Sequence, residues 1–129
     1  MYGFSISMNG SMDDVVDKVT EALKTEGFGV LTEIDVQATL KKKIDVDRKP
    51  YKILGACNPQ LANQAINAEP DIGLLLPCNV VVREEDDGTM TVAFMDPMAV
   101  LDLTKNDKVH EIAPEVKSRL ERVCGLLKS

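Results

Sequence analysis

The chain has 129 residues, 44% of them hydrophobic and 28% charged, which suits one soluble domain able to bury about two-thirds of its unfolded surface without metals or disulfides. Its 21 acidic and 15 basic residues leave a net charge of −6, and that balance opposes a phosphate backbone and excludes the usual electrostatic basis of nucleic-acid binding. The longest apolar stretch, 72–82, is too short to span a bilayer and contains Pro77 and Asn79, so no membrane partner is expected.

In chain order, Tyr2 to Met8 alternates large apolar residues with Gly3, Ser5 and Ser7, the period of a half-buried strand. Ser11 is placed to cap a helix, with Asp14 favouring its positive end. Met12, Val15, Val16, Val19 and Leu23 then form one apolar stripe that must lie on a sheet, and Gly27 closes the helix. Phe28 to Glu33 reads as a second strand. Residues 34–44 repeat Val36, Leu40 and Ile44 four apart as a short helix would, with Asp35 as cap. The basic run Lys41-Lys42-Lys43 lies among Asp35, Asp45 and Asp47 and reads as a solvated helix face.

Pro50 ends that connection, and Tyr51 to Cys57 is a third strand. Asn58-Pro59 supplies a cap and a pre-set first helical residue for a helix that Pro70 stops. Ile72 to Glu85 is a strongly β-branched and aliphatic run, expected as strand, in which Pro77 marks a bulge or the strand's beginning with Cys78 at the irregular point. Asp87-Gly88 matches a two-residue hairpin turn, so the chain returns as Thr89 to Met95. Asp96-Pro97 looks like a turn. Val109, Ile112, Val116, Leu120, Val123 and Leu127 mark a long final helix that either begins near Pro114 or kinks there. This order of elements predicts an α+β fold, a mostly antiparallel sheet faced by helices, in a single domain covering 1–129.

The pair Cys-Asn occurs twice, as Cys57-Asn58 and Cys78-Asn79, each at a break in regular structure. With Cys124 the cysteines number three, an odd set without a disulfide framework or a CxxC pattern, so reduced thiols are expected. Cys57 precedes a helix start, where free N–H groups and the helix dipole favour a thiolate. Alternatively it is a small buried hydrophobe, and Asn58 merely caps. Two copies suggest a shared pocket in which the thiols face each other and the amides of Asn58 and Asn79 serve a ligand or loop backbone. Two functions compete: a small-ligand-binding module using Cys57, Asn58, Cys78 and Asn79, and a redox or sulfur-transfer protein with Cys57 as nucleophile and Cys78 as its partner. No metal or other cofactor is expected, since lone His110 and scattered carboxylates do not converge, and the acidic run 84–87 lacks calcium-loop spacing. The N-terminus lacks the basic start and apolar core of a secretion signal, so a cytoplasmic location is expected.

From Gly27-Phe28-Gly29-Val30 through Leu54-Gly55-Ala56-Cys57-Asn58-Pro59 and Gly73 to Val80, as far as Met95-Asp96-Pro97, the sequence resembles domain-of-unknown-function family 302, over nearly the whole chain. The resemblance implies a two-layer β-α-β4-α fold related to that of the TATA-binding protein, often a homodimer, with no established activity. That fold relation does not imply DNA binding, because function belongs to sites.

Overall fold

A computed structural model describes residues 1–128. Strand β1 (Gly3–Met8) leads into helix α1 (Met12–Thr25), then β2 (Gly29–Asp35), α2 (Val36–Ile44), β3 (Tyr51–Cys57) and α3 (Pro59–Ala68). A 3₁₀ segment (Pro70–Leu75), β4 (Cys78–Glu84), β5 (Met90–Met95), short α4 (Pro97–Val100), a 3₁₀ turn (Leu101–Leu103) and long α5 (Asp107–Leu127) complete the chain. The five strands form one antiparallel sheet in the order β1-β5-β4-β3-β2. With the short helices set aside, this is the expected β-α-β4-α arrangement, an α+β fold in two layers.

Consecutive strands β1 and β2 occupy opposite edges, so α1 must cross the whole sheet between them. Alternation decides which side it covers. Leu54 and Ala56 of β3, Cys78, Val80 and Val82 of β4, and Met90, Val92 and Phe94 of β5 are buried, and they pack on Val15, Val19 and Leu23 of α1 and Leu120 and Val123 of α5. A smaller cluster, Ala65, Ile72, Leu101, Val109 and Ala113, lies where α3, the 3₁₀ segments and the first half of α5 meet.

Local chemistry fixes the ends. The Ser11 hydroxyl accepts the Asp14 N–H at 3.1 Å as expected. At the other end of α1, Gly27 adopts φ +82°, and Gly27 N–H and Phe28 N–H donate to Lys24 O and Leu23 O, the reciprocal closure that favours a glycine. Asp35 caps α2 through Ala38 N–H, though Ile34 belongs to β2 rather than to the helix. Lys41 of the basic run pairs with Asp45 and Asp47 at 2.8 and 3.0 Å.

Three sequence expectations need correction. The apolar run 72–76 is not strand: Pro70 and Gly73 lie in a 3₁₀ helix that buries Ile72, and β4 begins only at Cys78, immediately after Pro77. Periodicity cannot separate a continuous apolar run in a strand from one in a buried helical turn. The β4–β5 hairpin has a five-residue loop, 85–89, with only Gly88 at positive φ; the Asp87 carboxylate accepts Thr89 N–H and Oγ1–H, so a wider turn replaces the two-residue one. Finally, of the two readings of α5 the start near Pro114 falls, since the helix begins at Asp107, capped by Asn106, and carries Pro114 inside it, while Asp96-Pro97 opens the short helix α4. Among the described residues, no helix is long and apolar enough to cross a membrane.

Candidate functional site

The two Cys-Asn pairs lie at the same end of neighbouring strands, Cys57 closing β3 and Cys78 opening β4. An antiparallel register that matches Ala56 with Cys78 brings them together across 21 positions of sequence. Both cysteines line one hollow of about 30 Å³, whose walls include Phe28, Leu61, Ala65 and Val116. Its lining is almost wholly apolar. Half-buried Cys57, Leu61, Ala62, Leu76 and Pro77 rim it, while Phe28, Ala56 and Cys78 are buried.

The thiols do not form a cross-strand pair. Cys78 shares the inward parity of Val80 and Val82, whereas Cys57 shares that of Ile53 and Gly55, and the residue opposite Cys78 is Ala56. Burial pushes the Cys78 thiol up to about 11, and the nearby Cys57 adds to the rise because a second negative charge there would repel the first. Cys78 is therefore a neutral wall of the hollow at physiological pH. Cys124 is buried on α5 in the main core and takes no part in the hollow.

The two amides separate. Asn58 is buried, and both polar atoms of its side chain are engaged: Oδ1 accepts Leu61 N–H at 3.1 Å as the cap of α3, and Nδ2 donates to Glu26 O at 3.5 Å. The same carbonyl accepts from Arg119 Nη1 at 2.9 Å, and Arg122 Nε donates to Glu26 Oε1 at 3.0 Å. The end of α1, the start of α3 and the middle of α5 are thus tied at one point behind the hollow. Gly27 sits within this knot, and a Cβ there would come within 2.8 Å of Asn58 Nδ2 and 3.2 Å of Arg119 Nη1. Asn79 is exposed and alternates to the opposite sheet face, away from the hollow.

Since Asn58 supplies both a cap and an interhelix hydrogen bond, Asn58→Ala is expected to lower stability by about 1–2 kcal/mol, read as a lower urea midpoint at unchanged slope. Unchanged midpoints would mean that water replaces both contacts at no cost.

Sequence reasoning missed the far wall of the hollow, which Leu61, Ala65 and Val116 provide from α3 and α5, and the Arg119 and Arg122 contacts. The apolar stripe of α5 was legible, but not which stretch of it meets the strand ends. Among the described residues, no three His, Cys, Asp or Glu side chains converge as a metal site. His110 instead hydrogen-bonds Thr104 O through Nε2 at 2.8 Å, which fastens the loop before α5.

The family model described as Domain of unknown function DUF302 matches residues 4–127. The chain is also similar to an uncharacterized conserved protein DUF302 from Bacillus stearothermophilus, known from a crystal structure, with 30% identity, a TM-score of 0.91 and 99% of both chains covered. No curated protein matches.

Proposed function

The chain belongs to the DUF302 family, whose description assigns no activity, and on that premise we propose that it is a small-ligand-binding module whose site is the hollow between the ends of β3 and β4. One observation carries this reading: Cys57 and Asn58 at the end of β3 and Cys78 at the start of β4, 21 positions apart in sequence, line one apolar hollow. A volume of about 30 Å³ is far below the ~300 Å³ at which drug-sized ligands become enclosed, and it accommodates a group of one or two heavy atoms. The ligand is accordingly a small apolar group, or the apolar end of a larger molecule whose remainder stays outside. Cys57 and Cys78 would contact it, and Asn58 would hold the rim in place by fixing the start of α3.

Thiol chemistry is the second reading, favoured by one observation: Cys57 is the only cysteine of the three that is not buried. It ranks below binding because Cys78, the expected partner sulfur, is held protonated.

Native mass spectrometry of freshly purified protein, beside an Ala62→Leu variant that narrows the rim, separates the readings. A retained non-covalent mass that the variant loses is the expected result. A covalent gain of one sulfur, mapped to Cys57, would favour the second reading, and the bare chain mass in both proteins would argue against ligand retention.

A further inference from the structure

Most inward positions of the sheet, those turned to the helices rather than to the open face, are apolar, but one corner breaks the pattern. Register sets Lys52 opposite Val82 of β4, in the same inward set as Leu54 and Ala56, and sets Glu33 of β2 opposite Leu54. Lys52 is thus a cation on the core side of the sheet. Its side chain is only 21% exposed, and its Nζ donates to Glu33 Oε1 at 3.3 Å. An inward charge near a sheet edge also guards against edge pairing, but that role needs neither a cleft nor further carboxylates.

Both are present. Above this corner α1 and the sheet leave a cleft of about 490 Å³, within the range of small-ligand sites, and it shares no wall residue with the hollow. Helix α1 lines it with Asp13, Val16, Asp17 and Thr20, whose three- and four-residue steps form one stripe beside the buried Val15, Val19 and Leu23. Val16 and Val30, half-buried, and buried Leu54 give it an apolar floor. Around that floor three carboxylates, Asp13, Asp17 and Glu33, face one ammonium, Lys52. The helix dipole accounts for Asp13 in the first turn of α1 but not for Asp17, which lies beyond it. Like charges four apart on a helix are about 6 Å from each other and destabilise it. Among the described residues, neither Asp13 nor Asp17 is in an ion pair.

We propose that this cleft binds an aliphatic polyamine, with one ammonium group between Asp13 and Asp17, methylenes on the apolar floor, and a second ammonium group at Glu33. Lys52 engages Glu33 Oε1 and leaves Oε2 for the ligand. The excess of carboxylates selects a cation. A metal ion is disfavoured, because among the described residues no three acidic, His or Cys side chains converge on a point. An extended amine matches charges that are spread apart, and its chain uses an apolar floor that a hydrated inorganic ion would leave wet.

Equilibrium dialysis of the full chain against spermidine in ~50 mM salt should show one site with a Kd below ~1 mM. Asp17→Asn, which relieves a repulsion within α1 and so endangers no folding, should raise that Kd at least ~10-fold. Asp14→Asn makes the same charge change at an exposed position outside the cleft and should stay within ~2-fold of the native protein. The short 1,2-diaminoethane, unable to span from Asp17 to Glu33 across the floor, should bind at least ~10-fold more weakly than spermidine. No uptake of spermidine at 5 mM, equal losses in the two variants, or displacement of spermidine by an equal concentration of Mg²⁺ would overturn the proposal.

Discussion

Raising the pH from 9 to 11 should cost the folded protein about 2 kcal/mol through Cys78 alone. In the unfolded chain this thiol ionises at its ordinary 9.0, whereas in the fold burial first, and the nearby Cys57 second, push it up to about 11. Between those values the unfolded state releases a proton that the folded state keeps, so stability falls as pH rises. The contribution is fully present well below pH 9, declines through the interval at up to about 1.4 kcal/mol per pH unit, and is gone well above 11. Urea titrations at pH 8, 9, 10 and 11 on the native protein and on Cys78→Ala isolate it. The variant starts less stable because it lacks the sulfur's packing, yet its decline with pH should be shallower by that amount. Some slope will remain, since burial raises the Cys124 thiol too. Parallel curves for the two proteins would show that the Cys78 thiol is open to water and that the floor of the hollow is wrongly placed.

The second large effect is expected at Phe94. It is 1% exposed, pairs with Val80 and Phe4 on its two neighbouring strands, and stacks on the Phe4 ring with centroids 5.3 Å apart. Truncation in Phe94→Ala removes buried apolar surface, leaves a cavity between sheet and helices and breaks the stack, for an expected loss of about 3–5 kcal/mol. Against a typical total of about 5–15 kcal/mol, that is enough to leave the variant marginal at 37 °C. Phe94→Leu should lose only about 1–2 kcal/mol, because most of the volume is kept. Thermal midpoints measured by circular dichroism would rank the three proteins, and an alanine variant within 1 kcal/mol of the native protein would contradict the assignment of Phe94 to the centre of the core.

The candidate site illustrates how far local reasoning reaches. That Asn58-Pro59 begins a helix was legible because a side-chain acceptor followed by a residue with fixed φ has few other uses, and the cap on Leu61 N–H follows. Its second bond, to Glu26 O, could not be read, since the acceptor lies 32 positions earlier in sequence and is brought near only when α1 crosses the sheet. Cys78 was expected at an irregular point and does lie just after one, at the first residue of β4. The direction of its side chain depended on where that strand begins, because moving a strand by one residue exchanges its two faces. With 72–76 taken as strand, that origin was not fixed. The same parity sends Asn79 to the open face, so two pairs that look equivalent in sequence differ in use: Asn58 is spent on backbone groups, and Asn79 faces outward.

By itself the sequence determined the α+β class, the family, and the caps and breaks at Ser11, Gly27, Asp35, Asn58 and Gly88, all of which follow from interactions within a few residues or from apolar period. Strand order, the meeting of Cys57 and Cys78 at one hollow, and the division of the sheet into a helix-covered face and an open one were decided only by tertiary structure. These depend on pairings between segments far apart in the chain, and periodicity marks which residues share a face without naming what that face will touch.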